Sequence, residues 1–187
     1  MFSNANDHIN RSEYVDSENV LPDLLDRGLD IVFCGTAVGK KSASVGAYYS
    51  GRGNKFWKVL YAVGLTPVQL RADQYRELLN YKIGLTDLAK NVSGNDTELL
   101  SNDFDVEYLK AKITKYNPKM LAFNGKKGAK IYLSINKVDY GLCRDIKIGK
   151  TEIYVLPSTS GSANRSWDID YWASIANKVT LPRFDGH

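Results

Sequence analysis

Residues 30–57 read DIVFCGTAVGKKSASVGAYYSGRGNKFW, and the fold follows from how this stretch is parsed. The run Ile31-Val32-Phe33-Cys34 is short, apolar and β-branched at its start, the pattern of a parallel strand buried on both faces. It ends in Gly35-Thr36-Ala37-Val38-Gly39, where glycines predict a sharp turn beside something else. In an open α/β sheet that position, the C-terminal end of a strand, is where ligands bind. Downstream, Tyr48-Tyr49 and Gly51-Arg52-Gly53-Asn54 precede a helix opening at Lys55-Phe56-Trp57. Aromatic faces beside basic, glycine-rich backbone suit a stacked base and its phosphate.

Outward from this stretch, strands alternate with helices. A helix over about 54–62 stops at Gly64, Thr66-Pro67 supplies a cap and first-turn proline for another, and a helical piece covers 74–81. Residues 83–88 read as the second strand and 91–102 as a polar loop. Val106, Leu109, Ile113 and Tyr116 are spaced three, four and three apart, the mark of an amphipathic helix, which Pro118 ends. The third strand covers 119–123, with a helix over 126–134 after it. Residues 145–148 and 152–156 flank a tight turn at Gly149-Lys150 that leads into the fourth core strand, and Ser166 is the expected cap of a last helix to about 178. Such alternation predicts an α/β fold, a parallel sheet covered on both faces. Residues 1–20 are polar and aperiodic, a loose tail, and 21–187 form one domain.

Composition narrows the function. The 187 residues are 43% hydrophobic and 25% charged, and Lys plus Arg exceed Asp plus Glu by 25 to 21, for a net charge of +4. That mild excess is compatible with nucleic acid without requiring it. Two cysteines, Cys34 and Cys143, and two histidines, His8 and His187, do not make an iron–sulfur or zinc site, so neither metal nor cofactor is expected. Without a transmembrane-length run or a signal-peptide core, the expectation is an intracellular, monomeric protein with reduced thiols and no membrane partner.

Three segments together resemble the uracil-DNA glycosylase superfamily, specifically its mismatch-specific uracil-DNA and thymine-DNA glycosylase branch. Gly35 to Gly39 corresponds to that branch's GINPG motif, followed by Tyr49, Gly53-Asn54 and Phe56-Trp57 at the aromatic, Gly-Asn and Phe-Trp that come next. Phe123-Asn124-Gly125-Lys126 is similar to an FNGK segment, and Leu156-Pro157-Ser158-Thr159-Ser160-Gly161 to the motif read LPNPSG or MPSSSA. The similarity runs from about Leu21 to Val179. It implies a three-layer α/β/α sandwich around a four-stranded parallel sheet, and excision of uracil from DNA in base-excision repair, on DNA holding uracil or mismatched bases.

Glycosidic hydrolysis builds positive charge on the sugar and negative charge on the leaving base, so it needs a group that positions water and donors for the base oxygens. The resemblance puts the water-positioning asparagine at the third place of the first motif, and here that place is Ala37, beside Thr36 in the base pocket. Asp87, near the end of the second strand, is the candidate substitute and general base; the plain alternative is a turn cap or a salt bridge. Asn124 is the candidate that reads the base, donating to uracil O4 and accepting from N3–H, against a plain turn residue. Tyr49 is the candidate stacking partner of the flipped base, against packing on the core, and Ser158 completes the pocket. Arg52, Lys126, Ser160, Gly161, Ser162, Asn164 and Arg165 are the candidate DNA contacts, with the family's wedge position falling on Ser162. No lysine of the matched motifs is placed for a Schiff base, so no strand-cleaving lyase step is expected. Two rivals stay open: a lesion-binding protein without hydrolysis, and a glycosylase for hypoxanthine, 5-hydroxymethyluracil or mismatched thymine.

Overall fold

The computed structural model describes residues 19–95 and 97–179. The expected tail as far as residue 18, the last eight residues, His8 and His187 lie outside the described residues.

Strand β1 (Ile31–Val38) is the centre of the sheet. It pairs in parallel with β2 (Ile83–Ser93) on one side and β3 (Met120–Asn124) on the other, with Ile31 level with both Ile83 and Met120. Strand β5 (Thr151–Leu156) adds in parallel to β3, and β4 (Gly141–Ile148) closes the edge antiparallel to β5, giving the order β2-β1-β3-β5-β4. The sheet therefore has five strands rather than the expected four. The four parallel strands match the expectation, and the fifth is the outer arm of the hairpin that turns at Gly149, where φ is 57°. Its sequence hid it because Arg144 to Lys147 are all exposed, with no alternation to mark a strand.

Alternate residues of β1 feed two cores. Ile31 and Phe33 face a cluster with helix α2 (Phe56–Ala62), a 3-10 helix (Ala72–Tyr81) and helix α5 (Asp170–Ala176). Val32 and Cys34 face a second cluster with α3 (Val106–Tyr116) and α4 (Lys126–Leu133). The result is the expected three-layer α/β/α arrangement. Large aromatics carry much of the first core, each worth about 2–3 kcal/mol of burial. Trp172 stacks on Phe33 at 5.3 Å and donates its indole N–H to the Pro157 carbonyl at 3.0 Å, while Trp57 donates to the Tyr48 carbonyl at 3.2 Å. Both indoles thus tie cleft-bordering loops to the core.

Several local expectations need correction. The backbone stays extended through Thr36, Ala37 and Val38, so the turn comes only at Gly39, which opens the short helix α1 (Lys40–Val45). Gly35 keeps ordinary φ; its need is steric, because a Cβ there would fall far inside van der Waals contact of Asp87 Oδ1. No helix follows Thr66-Pro67, since Leu65 and Leu70 are both pinned in the core at a five-residue spacing that one helical face does not provide. Strand β2 continues to Ser93, taking the first residues assigned to the polar loop. The last helix begins at Asp170 rather than after Ser166; a 3-10 turn (Gly161–Ser166) comes first, and Asp168 Oδ1 accepts from the Asp170 N–H at 2.9 Å.

Candidate active site

Strand order reverses about β1: the chain leaves β1 for β2 on one side and returns to β3 on the other. At the C-terminal ends of these strands the helices diverge, and a cleft of about 820 Å³ opens there. Of the residues anticipated from sequence, Thr36, Ala37, Tyr49, Asp87, Asn124 and Ser158 all line it, as do Arg52, Lys126, Ser160, Gly161 and Ser162. Asn164 and Arg165 do not. They sit on the exposed outer side of the 3-10 turn, where Asn164 Oδ1 accepts from the ammonium of Lys55.

Asp87 lies directly across from Gly35 in the β1–β2 register, six residues before the end of β2 rather than at its tip. Its residue is 3% exposed, and Oδ2 makes no hydrogen bond. Burial pushes its carboxyl up to about 6, opposed by the positive charges of Lys90 and Lys112 and by the Tyr48 hydroxyl, and reinforced by Asp23. Ala37, two residues beyond Gly35, projects from the same face of β1 toward the same part of the cleft.

Tyr49 has φ of 54°, in the left-handed region that a bulky residue rarely adopts. That backbone lays its ring on Phe56 at 3.9 Å and 22°, so one face is covered by the core and the other is left to the cleft. Both sequence alternatives, core packing and base stacking, are thus compatible with one ring. Its buried hydroxyl faces Asp87 and Asn124, and burial followed by the Asp87 charge raises it well above the usual phenol range. The neighbouring Tyr48 turns away into the core, 2% exposed.

Asn124 ends β3, and its amide is clamped by one residue. Oδ1 accepts from the Thr159 N–H at 2.9 Å, and Nδ2 donates to Thr159 Oγ1 at 2.9 Å. A backbone N–H can only donate, which fixes the orientation of the amide. Two partners this close engage the edge on which the amide offers oxygen and nitrogen side by side. The donor–acceptor pair anticipated for uracil is therefore committed to Thr159, leaving one outward N–H and one outward lone pair. Thr159 is itself 0% exposed, and its carbonyl accepts from Lys55 N at 2.8 Å.

That last bond sews the two glycine loops together. Gly161 packs against the Arg52 and Gly53 carbonyls so closely that a Cβ on it would meet Gly53 O at 3.3 Å. The Arg52 turn and the Ser158–Ser162 turn consequently form one continuous rim, with Ser160 Oγ accepting from Ser162 N at 3.4 Å. Lys126 reaches over the Tyr140 ring at 4.3 Å on the opposite rim.

A third wall is formed by Gly94, Asn95 and Thr97 after β2 together with Lys40 and Lys41; the two lysines read from sequence as part of a basic face, and the loop residues were not anticipated. A Lys40–Glu98 ion pair at 2.5 Å and the Asn95 N–H on Glu98 Oε2 at 2.8 Å hold it. Only its polarity and glycine marked it, as for any loop. Among the described residues no group of three or more His, Cys, Asp or Glu is gathered to hold a metal, both cysteines are free, and no helix is long and apolar enough to cross a membrane.

Residues 22–176 match the family model described as the uracil DNA glycosylase superfamily. Among solved structures, the chain is similar to a solution NMR structure of a candidate uracil DNA glycosylase from Methanosarcina acetivorans. The TM-score is 0.62 at 23% identity, covering 84% of this chain and 95% of that one. At that identity the likeness speaks to the fold.

Proposed function

This chain belongs to the uracil DNA glycosylase superfamily, and we propose that it is a monofunctional glycosylase of the mismatch-specific branch that removes uracil from DNA. One observation carries the proposal: a buried carboxylate, Asp87, lines the cleft with an Oδ2 that no group of the protein hydrogen-bonds, on the same face as the place where Ala37 leaves no water-positioning amide. Above pH 7 a carboxyl near 6 is mostly ionised. Asp87 then orients a water and takes its proton as the oxygen bonds to C1′. The bond from C1′ to the base nitrogen breaks, and its electron pair leaves with the base. Asn124 donates its outward N–H to a base carbonyl, where the leaving charge collects, and the open face of Tyr49 stacks on the flipped ring. Arg52, Lys126 and the serine turn grip the phosphates. The products are free base and an abasic site.

A second reading has its own support. With its paired edge held by Thr159, Asn124 offers one outward N–H for a base carbonyl and a separate outward lone pair, not the side-by-side pair that matches uracil O4 and N3–H. That favours bases with a carbonyl at the place of uracil O4, hypoxanthine with its O6 included, and disfavours cytosine, which presents an amino group there. The deciding experiment is release of free base from oligonucleotides carrying uracil, hypoxanthine or cytosine, by wild type and Asp87→Ala. Release of uracil by wild type alone supports the proposal. No release at enzyme excess overturns it in favour of a lesion-binding protein without hydrolysis.

A further inference from the structure

Behind the candidate active site lies a group of charges that the proposed chemistry does not use. Residues 20–24 run along the outer edge of β2, with Val20 N on Lys90 O at 2.8 Å and Leu24 N on Leu85 O at 2.9 Å. This brings Asp23 between two lysines: Lys90 Nζ lies 2.7 Å from Asp23 Oδ1, and Lys112 Nζ from α3 lies 2.5 Å from Oδ2. The side chains are 4%, 8% and 11% exposed for Lys90, Lys112 and Asp23. Thr86 Oγ1 adds a bond to Asp23 at 2.7 Å, and Lys90 reaches the Leu21 carbonyl at 2.8 Å and the Tyr48 hydroxyl at 3.2 Å.

Lysines are seldom buried, and a well-packed apolar substitute for a buried ion pair is often as stable or more so. Stability is thus a poor reason for this arrangement. Its charge is unbalanced: two ammonium groups face one carboxylate, leaving one positive charge without a partner inside the cluster. Asp87 is a buried carboxylate that follows Thr86 in sequence and stands three residues before Lys90 on the same strand, and Lys90 also donates to the hydroxyl of Tyr48, a residue that lines the cleft with Asp87. The groups facing Asp87 from all sides are Cys34 on β1, Tyr48 and Tyr49 from the loop after α1, and Lys90, Lys112 and Asp23 of the cluster. The first three are neutral at pH 7, since burial, with the Asp87 charge next, pushes each of them up. Only the cluster can answer the Asp87 charge.

We propose that Asp23, Lys90 and Lys112 form a counter-charge cluster of net +1 that keeps Asp87 ionised in its buried setting, making Lys90 and Lys112 positioning residues for the proposed water-activating carboxylate. The inference rests on the functional proposal only for its purpose; the coupling itself can be read without turnover.

The test is the titration midpoint of Asp87, followed by carbon-13 carboxyl NMR on the full chain, beside the pH dependence of single-turnover uracil release. Lys112→Met reduces the cluster to net zero, and the midpoint should rise by about one pH unit. Asp23→Asn raises it to +2, and the midpoint should fall by a similar amount. The double variant Asp23→Asn/Lys112→Met restores net +1 and should return near the wild-type midpoint, although it is the more heavily altered protein. A purely structural cluster predicts the reverse, with the double variant furthest from wild type. If Lys112→Met does not fold, the downward shift of Asp23→Asn and the near-wild-type double variant decide. Midpoints equal to wild type in the folded single variants overturn the inference. Midpoints that move while uracil release stays absent sink the functional proposal and leave the coupling standing.

Discussion

Replacing Asp87 by Asn should make the protein more stable and less active at once. The carboxyl is shifted from 3.8 to about 6, roughly two units, each worth about 1.4 kcal/mol, so holding Asp87 ionised in the fold costs about 3 kcal/mol. The sign follows from the direction of the shift. Below about pH 4 both folded and unfolded chains carry a protonated Asp87, and there is no cost. Between about pH 4 and 6 the unfolded chain ionises first and stability falls; above about 7 the full cost is present. Asn cannot ionise, and its own burial returns about 1 kcal/mol of the gain. Asp87→Asn should therefore lie about 1 kcal/mol below wild type near pH 4 and exceed it by about 2 kcal/mol at pH 8, the latter being about 4–8 °C in Tm for a chain of this size. In the same variant single-turnover release of uracil should fall about 100-fold or more, the usual loss for a general base. Thermal and urea unfolding across pH 4–8 measures the first quantity, and quenched-flow assays the second. Equal stability at pH 4 and pH 8 would refute the burial argument, and a wild-type rate would refute the catalytic one.

For wild type, the single-turnover rate should rise tenfold per pH unit below about 6 and level off above it; a flat profile from pH 5 to 8 removes Asp87 as the base. Ala37→Asn placed in Asp87→Ala should recover part of the lost rate, because residue 37 points from the same face of β1; no recovery would separate the two positions. Gly35→Ala must displace the Asp87 carboxylate, since β1 is paired with β2 at Gly35 and with β3 as far as Cys34 and has little room to give, and is expected to cost about 1–3 kcal/mol in stability and at least tenfold in rate. Asn124→Ala should lower uracil release by about 10- to 1,000-fold with duplex binding unchanged in a filter or anisotropy assay. Thr159→Val, which removes one side of the clamp, should fall between Asn124→Ala and wild type, and a wild-type rate would show that the clamp does not orient the amide.

The alternation of strand and helix and the apolar runs of β1, β3 and β5 were legible in the sequence, because burial on both faces of a parallel sheet forces continuous hydrophobic runs. Short-range chemistry likewise predicted that Pro118 would end α3, and the helix stops just before it, with Asn117 in the left-handed conformation at φ 47°. So was the grouping of site residues, since each motif lies at the C-terminal end of a strand and parallel strands bring those ends together. What required the tertiary structure was everything set by a neighbour across space. Gly35 reads as a turn residue and proves to be room for a carboxylate on the next strand. Asn124 reads as a free amide and proves to be held by a threonine 35 residues on. Lys112 sits between Leu109 and Ile113 as if on a polar seam of α3, and proves to be buried against a carboxylate 89 residues away. Periodicity records which face a residue occupies; it carries no record of which distant charge that face will meet, and in a low-dielectric interior that meeting decides whether a carboxylate such as Asp87 is charged.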